Sequence, residues 1–208
     1  MRFQQTILSN GLRVAAETYS SGYSASYGFF VRAGSRNESD PQAGLSHFLE
    51  HMMFKGTSRR TAFDINRGLD ELGGNGNAYT TEEQTVYHAK VLPKFQSRIV
   101  DLLTDMMRPT LADDDFEVER KVILEEIAKY EDQPPFGAFE RVMELHFGPR
   151  DLGRRVLGTT ESIEAMTAER MRDYFMSKYQ PSNMVFAAAG KVDFEALVAQ
   201  LEQLTNPR

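Results

Sequence analysis

Two of the four histidines in this 208-residue chain fall within five residues, His47-Phe48-Leu49-Glu50-His51. On a helix, side chains four apart leave the same face one turn above the other, so both imidazoles reach a single ion. Glu50, three residues after His47, lies on that side too. It is placed to touch something bound to the ion rather than the ion itself. A solvated helix face is the alternative reading. Leu45, Phe48, Leu49, Met52, Met53 and Phe54 crowd the same segment, which makes it apolar nearly all round and therefore buried. Buried polar groups need partners or a metal, so the residues favour a metal.

A catalytic zinc takes three protein ligands and keeps one position for water. Two histidines leave one ligand to find. A long helix predicted over residues 113–130 offers Glu117, Glu119, Glu125 and Glu126. Helical phase separates them. Glu125 has Lys121 four before it and Lys129 four after it, an exposed ion-pair ladder. Glu126 shares a stripe with Phe116, Glu119, Ile123, Ile127 and Tyr130, where a carboxylate is costly unless paired or bound to metal. Glu126 is the expected third ligand. Glu119, two turns earlier on that face, is placed to orient a histidine or the attacking water; a salt bridge to a nearby arginine is the plainer alternative. His88 and His146 read as structural. Asp113-Asp114-Asp115 reads as complementation of a helix dipole.

These groups need a scaffold. Phe3–Leu8, Asn10-Gly11 and Leu12–Glu17 read as a hairpin with a primed turn. Ser24–Ala33 reads as a central strand, and Gly34–Gly44 as a polar loop leading to the motif helix. A helix over Thr61–Leu72 stops at Gly73-Gly74. Asn77–Leu92 reads as a hairpin or long strand. Further helices are predicted over Pro93–Arg108, Asp113–Tyr130 (broken by Pro134-Pro135), Gly137–Phe147 and Ser162–Tyr179. Asn183–Gly190 reads as a strand, and Asp193 as the cap of a last helix to Leu204. Strands and helices mix without strict alternation. This predicts an α+β fold: one mostly antiparallel sheet with helices packed on it.

Hydrophobic content of 41% supports a sizeable core. The net charge of −6 and pI near 5.3 argue against nucleic acid and suit basic or neutral substrates. The absence of cysteine excludes disulfides, thiolate metal sites and cysteine nucleophiles. Residues 1–20 show no signal-peptide core, and no apolar run approaches the ~20 residues of a membrane span. The expectation is a soluble, cytoplasmic protein.

The order H-x-x-E-H reverses the H-E-x-x-H of the familiar zinc proteases and has its own peptidase class, the inverzincins. Around it, Ala33-Gly34-Ser35-Arg36-Asn37-Glu38 and Gly44-Leu45-Ser46-His47-Phe48-Leu49-Glu50-His51-Met52-Met53-Phe54-Lys55-Gly56-Thr57 resemble the signature of the pitrilysin/insulinase-type zinc peptidases. The resemblance is to the branch holding the mitochondrial processing peptidase β subunit and its bacterial relatives. Gly73-Gly74, Asn77-Ala78-Tyr79-Thr80 and Glu83-Gln84-Thr85-Val86-Tyr87 resemble that family's substrate-side strand. Glu119-Arg120 with Val122-Ile123-Leu124-Glu125-Glu126 resembles its third-ligand helix. Leu152-Gly153-Arg154 and Leu157-Gly158 resemble a later loop.

The resemblance implies zinc on His47, His51 and Glu126, with Glu50 as general base. It implies an extended peptide substrate pairing with the backbone near Asn77, Ala78 and Tyr79. It also implies two homologous halves closing like a clam shell. Residues 1–208 match the N-terminal, zinc-binding half. No segment matches the second half, from which the family's transition-state-stabilising Tyr and Arg come. A homologous C-terminal half or partner subunit is therefore expected, together with self-association of the isolated chain and weak or absent activity alone. Two other functions compete. A non-catalytic peptide-binding or assembly subunit of the same fold is opposed by the intact His47, Glu50, His51 and Glu126. S-ribosylhomocysteine lyase also uses an H-x-x-E-H helix, but it needs a cysteine.

Overall fold

The computed structural model describes residues 1–131 and 134–206, with the backbone alone at 134–136. Six strands form one sheet: β1 (Arg2–Ile7), β2 (Arg13–Thr18), β3 (Ala25–Val31), β4 (Asn75–Thr80), β5 (Thr85–Val91) and β6 (Met184–Gly190), in the order β1-β2-β6-β3-β5-β4. Only β2 and β6 run parallel; the other neighbours are antiparallel. Eight α-helices accompany them among the described residues: α1 (Leu45–Met52), α2 (Ala62–Glu71), α3 (Gln96–Met106), α4 (Asp113–Glu131), α5 (Pro134–Phe147), α6 (Thr160–Glu164), α7 (Ala168–Lys178) and α8 (Phe194–Thr205). The expected α+β sandwich is the fold observed.

The core forms where alternate strand residues meet the helices. Tyr27, Phe29 and Val31 of β3, Tyr87 of β5 and Phe186 of β6 are buried with Leu49, Met52, Ile99, Leu103, Leu197 and Leu201 from the helices. Phe29 and Phe186 meet edge to face, ring centres 4.8 Å apart. β4 is an edge strand whose only partner in the sheet is β5.

Local structure departs from the sequence reading in three places. The first hairpin does not close on a primed turn. Gly11 is left-handed (φ +90°), but Asn10 is not. The Gly11 amide donates to the Leu8 carbonyl at 2.9 Å, so Ser9 and Asn10 form an ordinary turn and Gly11 the bulge that corrects the strand twist. The segment expected as one helix over Ser162–Tyr179 is two, α6 and α7. Met166 turns into the core at 1% exposure. The Thr167 hydroxyl then accepts the Arg170 amide at 3.2 Å and starts a new helix. The helix expected from Pro93 opens as a short 3₁₀ turn (Pro93–Phe95) and becomes α-helical at Gln96. The break expected from Pro134-Pro135 rests on residues 132–133, which lie outside the described residues, as do the side chains of 134–136.

The motif helix is held at its start. Gly44 precedes α1 at φ +91°, and a Cβ there would lie 2.6 Å from the Leu157 carbonyl oxygen. The buried carboxylate of Glu38 accepts the amides of Gly44 (2.8 Å) and Ser46 (2.6 Å), groups that no helical carbonyl reaches. The Ser46 hydroxyl bonds the Tyr174 hydroxyl at 2.8 Å, tying α1 to α7.

Candidate metal centre

α1 presents His47 and His51 on one side, and α4 packs across them. The seam between the helices is set by Phe48 and Phe116, stacked with ring centres 4.6 Å apart. On α4, Phe116, Glu119, Ile123 and Ile127 are buried, and Glu126 lies at the edge of that stripe. Glu125 faces solvent. The nitrogens and the carboxylate oxygen that His47, His51 and Glu126 can offer all lie within 4.8 Å of one another. Glu126 Oε2 is 3.7 Å from His47 Nε2 and 3.6 Å from His51 Nε2. Ligands about 2.0–2.1 Å from a tetrahedral zinc stand about 3.3 Å apart, so the two Glu126–histidine distances need close by only a few tenths of an ångström.

The chemistry of the donors fits a cation. Burial, and then the neighbouring His51, push His47 down to about 3, which leaves its imidazole neutral with a lone pair to give. Its Nδ1 is buried with no hydrogen-bond partner among the described residues, and its Nε2 contact at 3.7 Å is too long for a hydrogen bond. A metal would give the Nε2 lone pair the partner it lacks, with the ring's proton on Nδ1. Burial opposes charge on His51, but the hydrogen bond and charge of Glu119, with Glu126 and Glu50, outweigh it and raise the ring's pKa. Glu119 Oε1 lies 2.7 Å from His51 Nδ1. A carboxylate accepts only, so Nδ1 carries the proton and Nε2 is left as a ligand. Glu119 also meets Lys55 rather than an arginine. Burial raises the Glu119 carboxyl, but its bonds to His51 and Lys55 prevail and keep it below the ordinary range.

A cavity of about 450 Å³ opens over these groups, lined by Glu50, Ala78, Tyr79, Thr80 and Phe139 among others. Burial raises the Glu50 carboxyl, partly offset by a bond from the Thr80 hydroxyl, which donates to Oε2 at 2.5 Å. Ala78 and Tyr79 reach this cavity. Asn77 does not; it is exposed, opposite His88 across the β4–β5 ladder. His88 takes no part in the centre and meets the Tyr79 ring edge-on at 6.0 Å. Sequence reasoning missed Lys55, Glu38 and Thr80. Lys55 carried a signal, the i+4 spacing from His51. Glu38 lies in an aperiodic loop.

The fold and centre define a class: an α+β domain that carries a two-histidine, one-glutamate site on crossed helices beside an edge strand. Residues 13–160 match the model of the family described as Insulinase (Peptidase family M16), and residues 165–206 match that of the peptidase M16 inactive domain. The chain belongs to this family. It is 41% identical over 199 residues to an uncharacterized zinc protease of Streptomyces coelicolor, covering 95% of this chain and 43% of that protein. It is 40% identical over 191 residues to the mitochondrial-processing peptidase subunit beta of Rattus norvegicus, covering 91% of this chain and 39% of that protein. The chain thus spans less than half the length of these relatives. A protease from Helicobacter pylori shares the fold, with a TM-score of 0.88 at 24% identity over 100% of this chain and 51% of that one. Among the described residues no helix is long and apolar enough to cross a membrane.

Proposed function

We propose that the chain is the N-terminal, metal-carrying half of a zinc-dependent endopeptidase acting on peptides or unfolded segments such as presequences. His47, His51 and Glu126 would hold the zinc. When bound, the ion polarises the scissile carbonyl and acidifies a water in the cavity. The observation that carries this reading is the convergence of three donor atoms within 4.8 Å of one another on the cavity that Glu50 lines.

The remaining steps belong to the chain's own side chains. Glu50 accepts the proton of the attacking water and returns it to the departing amine. Its burial suits this work, because a carboxyl raised above its ordinary range is a better base. Glu119 holds His51 in the ligating tautomer. The free edge of β4 offers backbone groups at Asn77, Ala78 and Tyr79 to an extended substrate. Donors for the developing oxyanion would come from a homologous C-terminal half, in the same polypeptide or a partner subunit.

The test is cleavage of an unstructured peptide, followed by mass spectrometry, with this chain joined or mixed with its C-terminal half. Hydrolysis should stop on chelation, return with zinc and fail in Glu50→Gln. Turnover indifferent to chelation would overturn the proposal.

A further inference from the structure

A row of hydroxyls lies behind Glu50, and its hydrogen bonds have a direction. Thr85 Oγ1 is buried and donates to the Ala33 carbonyl at 2.9 Å. A carbonyl cannot donate, so the Thr85 hydrogen is committed there. Thr80, paired with Thr85 across the β4–β5 ladder, has two oxygens in reach. One is Thr85 Oγ1 at 3.4 Å; the other is Glu50 Oε2 at 2.5 Å. The short contact to a carboxylate is much the stronger, so the Thr80 hydrogen goes to Glu50. Thr85 could only accept from Thr80, and at 3.4 Å it is the weaker acceptor. Beyond Thr85 the buried hydroxyls of Tyr87 and Tyr179 pair with each other at 2.8 Å, so the row ends in the core.

We infer that Thr80 is a positioning residue that assigns the two oxygens of Glu50 different tasks, holding Oε2 and leaving Oε1 to exchange protons with the substrate water. This rests on the peptidase reading above and deepens it. A free carboxylate rotates about its terminal torsion and offers either oxygen. With Oε2 capped by a donor, the proton taken from water resides on Oε1, the oxygen that must release it to the leaving amine. Thr80 also directly follows Asn77, Ala78 and Tyr79, the edge proposed to receive substrate. One residue thereby ties the strand that registers the peptide to the base that acts on it.

The experiment compares Thr80→Val, which keeps the shape and removes the hydroxyl, with Thr80→Ser, which keeps the hydroxyl. The enzyme is the full-length protein, or this chain with its C-terminal half, loaded with zinc. In Thr80→Val, kcat should fall about tenfold or more, with KM and zinc content near wild type. Thr80→Ser should restore most of kcat. An altered strand would instead raise KM in both variants and overturn the inference, as would wild-type kcat in Thr80→Val. Crystal structures of the zinc-loaded variants decide independently of turnover. Glu50 should keep its orientation in Thr80→Ser and rotate in Thr80→Val, with His47, His51 and Glu126 unmoved. An unrotated Glu50 in Thr80→Val would overturn the inference even if the protein cleaved nothing. Peptide turnover indifferent to chelation, or none by the zinc-loaded wild type, would be the failure of the peptidase reading itself; the orientation of Glu50 in the crystals would still decide what Thr80 does.

Discussion

Glu125 and Glu126 are neighbours in sequence, yet about 100° of helical rotation separates them. That rotation puts one in solvent and the other within 3.7 Å of two imidazole nitrogens. Zinc analysis of single variants should follow it. Glu126→Gln and His51→Ala should reduce bound zinc from near one equivalent to background, while Glu125→Gln keeps it. The reverse pattern would assign the ligand to the wrong glutamate. Glu50→Gln should retain zinc and lose about 10²–10⁴ in rate, the usual contribution of a positioned acid–base group. Comparable hydrolysis by this variant and the wild type would remove Glu50 from the mechanism. The spacing of His47, Glu50 and His51 and the phase of Glu119 and Glu126 were readable because helices are periodic. Thr80 was not readable as a partner of Glu50, since it meets that residue only when β4 is laid beside α1, thirty residues away in sequence.

At the scale of elements, the centre depends on how α1 crosses α4. His47 and His51 belong to one helix and Glu126 to the other, so their separation is set by what lies between. Phe48 and Phe116 fill that seam, fully buried and stacked. Phe48→Ala should cost about 3–5 kcal/mol of stability and weaken zinc binding, though Phe48 is not itself a ligand. Denaturant unfolding with and without zinc measures both effects. A variant equally stable, with unchanged zinc affinity, would show that the seam does not set the ligand spacing. Element type and order were legible from periodicity and caps. The division of the expected Ser162–Tyr179 helix was not, because Met166 leaves the helical path for a tertiary contact with the core. The hairpin turn was misread for a different reason. Asn-Gly favours a primed turn locally, but the Leu12 amide bonds the Asn10 side chain at 2.9 Å, and the bulged closure uses only Gly11 at positive φ.

At the scale of the molecule, the helices leave one face of the sheet uncovered. Phe3, Ile7 and Tyr79 are 66%, 62% and 41% exposed, and β4 keeps an unpaired edge. Exposed apolar side chains and a free edge both favour association. Together with a length under half that of its relatives, this surface supports the proposal of an incomplete catalytic unit. The isolated chain should therefore bind zinc but hydrolyse an unstructured peptide at least ~10²-fold more slowly than the chain with its C-terminal half, the usual effect of losing an oxyanion donor. It should also self-associate. Sedimentation over a range of concentrations gives the assembly, and parallel peptide assays give the rates. The two should change together on adding the C-terminal half: self-association should fall as the complementary surface is covered, and turnover should rise. A monomer of this chain alone that hydrolyses peptide as fast as the completed protein would show that residues 1–208 already contain every group the reaction needs.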